Sequence, residues 1–490
     1  MDTNRVALKI VEEEVNGVIP ENPAFIELRN TGSPGFGYNP STIVSNEIRP
    51  DRQVADITTV GAEPGGEVDG ELSFGTYDSV FEGAFQQRWK KTAETNGASI
   101  TSIAAETNVI LGTEFPETIV VGSLLKITGT ASNDGMKKVK AVAEGSIETE
   151  ETLVLEESVP AGAKIKVIGW EAPAGDIQAA TSETEKSITS STSDLSKLGL
   201  LAGQWLKLGD SSKSGSSFDT VADNGFARVE SVATNKIVLG FAPKGWANDA
   251  ADAKTIRFYF GDMLVNSEKE IDPTKPIEII SYTIEQSFLD HKPIDYQYVS
   301  YMIPDSLTLN MSSADFITMN TSFVGADAQA STVRIAGATD VAAPQNPVMN
   351  TSSNVAQIAR GDAKIEGANY VNELTVEINN NARRRTAVGI FGAWSVGVGE
   401  FAVTGSMSTY FSNADLLQDL INNRETSLNF VVKDNDNHAY FFDMPRVKYS
   451  SGNPEVSGKN EDVMLPLEYQ AIRDPDLGYT LSLGRFEYLN

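Results

Sequence analysis

Hydrophobic and polar residues alternate in short segments along most of the chain, with the period of two that β-strands require. Residues 67–74, 307–311 and 317–323 are clear examples. Helical spacing is rare. The segment from Tyr77 to Trp89 places apolar residues three and four positions apart, and a segment from about Asn413 to Arg424 does the same. The pattern therefore predicts a mainly β protein with few helices.

The strand that precedes each helix has a related sequence, so the chain contains an internal repeat. Val68–Ser73 leads into the first helix and Val403–Ser408 into the second. The expected buried face of the first helix is formed by Tyr77, Val80, Phe81, Ala84, Phe85 and Trp89. Asn413 is placed to cap the second helix, whose expected buried face is Leu416, Leu417, Leu420 and Ile421.

The repeat continues further along the chain. Residues 301–304 resemble residues 442–445. The alternating positions that follow also correspond: Ile317, Met319, Thr321 and Phe323 with Val463, Leu465, Leu467 and Tyr469. We therefore expect two large β domains of the sandwich or barrel type, each with one packed helix. The first is split into residues 1–92 and 263–326, and the second spans residues 363–490.

The segment that splits the first domain has a weaker repeat of its own. Residues 122–127 resemble residues 203–208, and in both copies an Asn/Asp-Gly turn then enters a strand. This predicts two small inserted β-barrels, residues 93–172 and 173–262, which project from the first domain. Residues 327–362 are rich in Ala, Ser, Thr, Asn and Pro, which indicates an extended connector.

The chain is strongly acidic, which limits its partners. It has 490 residues, with 39 Lys and Arg against 67 Asp and Glu and a formal net charge of -28. Such a field disfavours binding to the phosphates of nucleic acid. A wall with this negative charge would let DNA pass along it without binding. The hydrophobic share of 40% is that of a packed globular protein.

The sequence offers little for catalysis or for cofactors. There is no cysteine, so thiolate nucleophiles and Cys-ligated metals are excluded. His291 and His438 have no zinc-ligand spacing, and the glycines of residues 389–399 lack a phosphate-binding pattern. Trp205 is expected to be a core residue. We expect no enzyme activity, no cofactor and no metal, and neither a secretory signal nor a membrane span is visible.

Several segments together resemble a known family. They are residues 22–25, 45–53, 65–89, 281–286, 321–325 and 445–449. With them the chain resembles the major tail tube proteins of siphophages, in the group that has two tandem tube domains. The resemblance covers roughly two-thirds of the chain. It implies synthesis in the host cytoplasm and incorporation into the phage tail, where strands of every tube domain join an inner β-barrel around a channel.

The resemblance also implies partners and symmetry. The expected partners are further copies of the chain, the tape measure protein and the tail terminator and tip proteins, while double-stranded DNA passes through without specific binding. Two similar wedges in each chain allow three chains to close a pseudo-sixfold ring. The alternative from another class is a β-rich capsid decoration protein or a host-binding adhesin. A hydrolytic tail enzyme is disfavoured by the missing motifs.

Two sets of residues are candidates for the functional surfaces. The period of two places polar side chains on one face of the strand before each helix, and we expect these faces to line the channel: Glu67, Asp69, Glu71 and Ser73 in the first copy and Ala402, Thr404, Ser406 and Ser408 in the second. The alternative is an ordinary solvated face.

The second set lies on two long polar loops, residues 31–56 and 379–399, which we expect to reach a neighbouring ring. Their candidate contact residues are Arg49, Asp51, Arg52, Arg383, Arg384, Arg385 and Trp394. The alternative is that these arginines are merely solvated.

Overall fold

A computed structural model describes residues 2–104, 107–267, 274, 278–360, 363–364 and 370–489. Strands dominate these residues, and the two α-helices found in them are short. The fold is mainly β, as the alternating pattern predicts. Short 3-10 turns occur at Thr3–Arg5, Gly97–Ser99, Leu195–Leu198 and Val221–Asp223.

The chain begins with six strands and a helix. They are β1 (Val6–Glu12), β2 (Ala24–Glu27), β3 (Asn30–Gly32), β4 (Pro40–Val44), β5 (Ile57–Ala62), β6 (Gly65–Glu71) and α1 (Asp78–Phe85). The insertion follows. Its strands are β7 (Glu94–Asn96), β8 (Ile100–Ala104), β9 (Val109–Gly112), β10 (Ser123–Thr128), β11 (Gly135–Ala143), β12 (Ser146–Thr149), β13 (Lys164–Glu171), β14 (Ile177–Thr181), β15 (Lys186–Ser190), β16 (Trp205–Leu208), β17 (Phe226–Ala233), β18 (Lys236–Phe241) and β19 (Arg257–Phe260).

The chain then returns to the first large unit. The strands up to the connector are β20 (Asp262–Ser267), β21 (Tyr282–Phe288), β22 (Asp295–Ser312), β23 (Thr318–Val324), β24 (Asp327–Ser331) and β25 (Thr339–Val341). The remaining elements are β26 (Val355–Arg360), β27 (Ala363–Lys364), β28 (Val371–Asn379), β29 (Arg383–Arg385), β30 (Ser395–Gly397), β31 (Ala402–Tyr410), α2 (Asp415–Ile421), β32 (Thr426–Lys433), β33 (Ala439–Gly452), β34 (Met464–Ala471) and β35 (Tyr479–Phe486).

The two large units have the same pattern of strand pairing. In the first unit β21 pairs with β1 and β22, and the later part of β22 continues into a second sheet with β23 and β6. In the second unit β32 pairs with β26 and β33, and β33 continues into a second sheet with β34 and β31. One apolar core spans both units and includes residues of α1 and α2.

These pairings place the start of the second unit earlier in the chain than the predicted residue 363. Since β26 is the counterpart of β1, the second unit begins at Val355, inside the segment predicted to be an extended connector. The rest of that segment is docked as well: β24 pairs with β22 and β25 pairs with β2. Residues 361–362, at the predicted end of the connector, lie outside the described residues.

Both helices are shorter than their sequence patterns predict. Gln86 adopts the left-handed conformation and ends α1 at Phe85, and the Trp89 side chain folds back so that its Nε1 donates to the Asp78 carbonyl at 3.1 Å. In α2, Leu416 is buried but Ile421 is 71% exposed. The turn before it is held by the Asn413 side chain, which accepts from the Asp415 amide at 3.0 Å.

The insertion is one sheet of thirteen strands rather than two separate barrels, because β13 of its first half pairs with β19 of its second half. The internal repeat is visible in the pairing. Strand β10 lies between β11 and β13, as β16 lies between β17 and β19. The preceding glycines also correspond: Gly122 donates to the Val139 carbonyl and Gly203 to that of Val229, each at 2.8 Å.

Candidate functional site

The two large units share one continuous antiparallel sheet. Its strand order is β3, β6, β23, β22, β28, β31, β34, β33. The first four strands belong to the first unit and the last four to the second. The units join where Ser306–Ser312 of β22 pairs with Glu373–Asn379 of β28. We call this eight-stranded surface the shared sheet.

In each half of the shared sheet, a tyrosine hydroxyl passes over a glycine. The Tyr77 hydroxyl passes over Gly70 and donates to the Arg29 carbonyl. The Tyr469 hydroxyl passes over Gly405 and donates to the Thr375 carbonyl at 2.8 Å. Any Cβ at either glycine would overlap the tyrosine, so glycine is required for this close approach. Since Asn30 lies opposite Gly70 and Val376 lies opposite Gly405, Arg29 and Thr375 occupy equivalent positions.

One face of the shared sheet is apolar and buried, and the other is polar and accessible. The side chains of the polar face on the six strands from β6 to β34 are Glu67, Asp69, Glu71, Thr318, Asn320, Ser322, Ser306, Thr308, Asn310, Glu373, Thr375, Glu377, Thr404, Ser406, Ser408, Pro466, Glu468 and Gln470. Six of them are carboxylates and none is Lys or Arg, while on β33 the same face carries Lys448, which pairs with Glu425. The face is an acidic surface that extends across both units.

Most of the residues predicted for this face lie on it. Glu67, Asp69 and Glu71 alternate along β6, and Thr404, Ser406 and Ser408 alternate along β31. Asp69 accepts a hydrogen bond from the Asn320 side chain of the neighbouring strand. Ala402 continues the same alternation at the start of β31 and pairs with Asn379.

Ser73 is not on the polar face. Strand β6 ends at Glu71, and Ser73 is fully buried with its hydroxyl 2.7 Å from that of Thr76. The alternation of side chains along β6 therefore ends at Glu71 and does not include Ser73. Sequence reasoning also missed Glu373, Glu377 and Glu468. Their strands carry the right alternation, but only the pairing across units brings them beside Thr404 and Ser406.

The hairpin β29–β30 of the second unit lies on the first unit. Arg384 donates through Nε to the Gly325 carbonyl at 3.0 Å and through a guanidinium nitrogen to the Pro64 carbonyl. Burial lowers the pKa of Arg384 below its ordinary value. The Phe391 ring stacks on Tyr38 of the first unit with centroids 6.3 Å apart. Arg384 thus joins the two units, while Arg383, Arg385 and Trp394 remain exposed.

The equivalent hairpin of the first unit, β4–β5, projects from the molecule. Its strands expose apolar side chains to solvent: Ile43, Val44, Ile57 and Val60. Near its tip Arg49 forms an ion pair with Asp51, with Nη2 and Oδ2 2.7 Å apart. This hydrogen bond raises the pKa of Arg49 and lowers that of Asp51. Arg52 lies in the same turn in the left-handed conformation.

The two ends of the shared sheet are open. At one end, the edge of β33 from Lys448 to Gly452 pairs with β34 on one side, and no described strand pairs with it on the other. At the other end, β3 pairs with β6, and no described strand lies along its far edge. A sheet edge with unpaired backbone groups is a surface for pairing with another chain.

The sequence matches a known family over nearly its whole length. A family model described as phage tail tube protein matches residues 3–471. The chain belongs to the phage tail tube protein family. It is therefore a structural component of the phage tail, in the virion. No curated protein matches the chain in sequence.

In this tail tube protein the insertion is fixed to the second unit. Trp205 of β16 is buried and stacks on Phe441 of β33, with ring centroids 4.3 Å apart. Beside it, Arg228 Nη1 lies 2.9 Å from Asp443 Oδ2. Strand β20, with which the chain returns to the first unit, pairs with β35 near the C-terminus. The insertion thus contacts both units, whereas the sequence predicted a projection from the first alone.

The two histidines of the tail tube protein have structural partners. His291 Nδ1 lies 2.6 Å from Asp295 on the surface. His438 Nδ1 lies 2.8 Å from Asp434, and its Nε2 lies 2.7 Å from Lys126 Nζ of the insertion. Burial lowers the pKa of Lys126. Asp434, Asp436 and His438 offer ligand atoms within 4.8 Å of one another.

Among the described residues, no helix is long and apolar enough to cross a membrane.

Proposed function

We propose that this chain is the major tail tube subunit of a long-tailed siphophage, and that three chains form each ring of the tube. In this arrangement the two units of each chain stand side by side around the channel, and stacked rings form the conduit for genome ejection. The observation that supports the proposal is the shared sheet, since it joins the two units into one continuous surface that could form consecutive segments of the wall.

The polar face of the shared sheet is proposed to line the channel. Its six carboxylates repel the phosphates of passing DNA, so the polymer does not stick. The opposite face is buried under the helices and the second sheets. Pairing of the open ends would close the wall and remove the exposed edges, which protects the subunit from disordered aggregation.

The exposed tips of the two hairpins are proposed to contact the neighbouring ring. The tip of the first hairpin offers Arg49, Asp51 and Arg52, and the exposed side chains of the second hairpin are Arg383, Arg385 and Trp394. The net charge of -28 gives these arginines acidic surfaces to meet on the next copy. The tape measure protein inside the tube and the terminator and tip proteins at its ends are the further partners of this proposal.

Negative-stain electron microscopy of the purified protein tests the proposal. We expect uniform hollow tubes that form without DNA or other phage proteins, with three chains in each ring layer. Discrete monomers under all assembly conditions would instead favour a capsid decoration protein or a host-binding adhesin. Six chains in a layer would contradict the three-chain ring.

A further inference from the structure

The junction between the two units inside one chain has two parts. Strand β22 of the first unit pairs with β28 of the second, and hairpin β29–β30 of the second unit folds back over the first. Asn380 connects them: its side-chain amide donates to the carbonyls of Ala84 and Pro304 at 2.9 and 3.0 Å. The junction is therefore a strand pair covered by a hairpin.

The two open ends of the shared sheet carry the same two parts, and no described strand pairs with them. The equivalent of the β22 edge is Lys448–Gly452 in β33, since β22 and β33 occupy the same place in their units. The equivalent of β28 is β3, since Asn30 lies opposite Gly70 as Val376 lies opposite Gly405, and Gly32 lies opposite Asp69 as Glu377 lies opposite Thr404. The equivalent of the covering hairpin is β4–β5.

We infer that neighbouring chains in a ring join through a copy of this internal junction. The edge Lys448–Gly452 of one chain pairs with β3, Asn30–Gly32, of the next. The β4–β5 hairpin of that next chain then folds back over the second unit of the first chain. The inference rests on the proposed function, and it specifies the lateral contact within a ring. The hairpin tips beyond Val44 and before Ile57 remain available to the neighbouring ring.

The register of the new pair follows from the register of the existing one. Within the chain Thr308 lies opposite Glu377. Thr308 lies opposite Asn320, which lies opposite Asp69 on the next strand. In the second unit Lys448 lies opposite Gln470, which lies opposite Thr404.

The partners of these positions also correspond. Glu377 lies opposite Thr404, and Gly32 lies opposite Asp69. Lys448 of one chain should therefore lie opposite Gly32 of the next, with both side-chain positions on the polar face.

The exposed apolar side chains of the β4–β5 hairpin support the same contact. Ile43 and Ile57 are 58% and 60% exposed in the single chain. The equivalent hairpin is anchored on its neighbour by Arg384, but the hairpin registers place Ser41 at that position. Hairpin β29–β30 is held on its neighbour by the hydrogen bonds of Arg384. We therefore expect hairpin β4–β5 to be held on the neighbouring chain by burial of its apolar side chains instead.

Paired cysteines test the register, since the chain has no cysteine of its own. A chain that carries both Gly32→Cys and Lys448→Cys is assembled, oxidised with copper phenanthroline and run on a denaturing gel. We expect covalent trimers, because each chain in a closed three-chain ring is bonded to two others. Each single variant should remain monomeric.

The matched control carries Thr308→Cys and Glu377→Cys, the equivalent pair inside one chain. It should form an internal disulfide and run as a compact monomer. Hollow tubes of the Gly32→Cys and Lys448→Cys chain that yield no cross-linked species would overturn the inferred edge and leave the proposed tube intact. If the unmodified protein forms no tubes, the proposed function itself fails.

A second variant tests the hairpin without changing the two edges that are inferred to pair. Ile43→Ser with Val60→Ser should leave the denaturation midpoint of the monomer unchanged, since both side chains are exposed. Assembly measured by sedimentation should fall at least tenfold. The control Val221→Ser removes an exposed apolar side chain of the insertion and should assemble normally. Normal assembly of the hairpin variant would overturn this part of the inference.

Discussion

Arg228 and Asp443 hold the insertion against the second unit as a buried ion pair. Their side chains are 12% and 1% exposed, and the guanidinium lies 5.7 Å from the centre of the Trp205 ring. Burial raises the pKa of Asp443, and Arg228 opposes that rise. If one member of such a pair is removed, the other charge is left buried without compensation.

We therefore expect Arg228→Met to destabilise the protein by about 3–5 kcal/mol at neutral pH. The loss should shrink on acidification, because a carboxyl whose folded-state pKa is raised is stabilised by protonation as the pH falls. Guanidinium denaturation followed by tryptophan fluorescence measures both effects. The control is the double variant Arg228→Met with Asp443→Leu, which should recover most of the stability. A double variant as unstable as the single one would contradict this account.

Glu171 is the acidic centre of a second buried cluster, within the insertion. Its carboxylate lies 2.8 Å from Lys138 Nζ, 2.6 Å from Lys213 Nζ and 2.6 Å from Arg257 Nε. Burial alone would raise its pKa, but the three cations lower it to about 2 from an ordinary value of 4.5. The side chain is 3% exposed. Its charged form is therefore strongly favoured in the folded protein.

The sign of this shift fixes a pH dependence. A carboxyl with a lowered folded-state pKa stabilises the fold above pH 4.5, and that stability is lost as the pH falls towards 2. Glu171→Gln should therefore cost about 3 kcal/mol at pH 7, and the difference from the wild type should vanish near pH 2. Thermal denaturation between pH 7 and 2 measures it. Glu148→Gln, which breaks an exposed pair with Lys140, should change little at any pH.

At the scale of elements, the sequence predicts which strands exist better than it predicts how they align. The two strand-and-helix repeats were visible because each has its own local period. The sequence aligned β23 with β34 four residues out of register, because it matched Phe323 to Tyr469. In the structure the counterpart of Tyr469 is Met319, since Gly70 lies opposite Met319 and Gly405 lies opposite Tyr469. A shift by an even number leaves every side chain on its own face, so alternation alone cannot detect it.

The strands that the sequence did not reveal depend on distant partners. Strand β26 lies in a polar, irregular segment and is defined by its pairing with β32, some seventy residues later. Strand β20 joins the second unit through β35, more than two hundred residues away. The early end of α1 also involves a distant partner, since Gln86 donates from its side chain to the carbonyls of Gly83 and Ile280. A helical period does not contain that information.

At the scale of the whole molecule, the charge of the polar face is a property of neither unit alone. Glu71 comes from β6 of the first unit and Glu377 from β28 of the second, and both reach the same surface only because β22 and β28 pair. The net charge of -28 was available from the sequence, but its placement on one continuous face was not. The proposed channel depends on this placement.

Reversal of charge on this face should turn a channel that repels DNA into one that holds it. Tubes built from Glu71→Lys with Glu377→Lys should retain short duplex DNA at low salt and protect it from nuclease, since lysines in a closed wall attract phosphate. Retention should fall steeply as salt is raised, and wild-type tubes should protect no DNA at any salt concentration.

The control for this experiment adds the same charge elsewhere. Glu144→Lys with Glu183→Lys changes two exposed residues of the insertion, outside the shared sheet. DNA bound there would remain open to nuclease, so protection separates the inner surface from the outer one. If the control protects DNA as well as the Glu71 and Glu377 variant does, the polar face does not line the channel, because only an enclosed surface can exclude the enzyme.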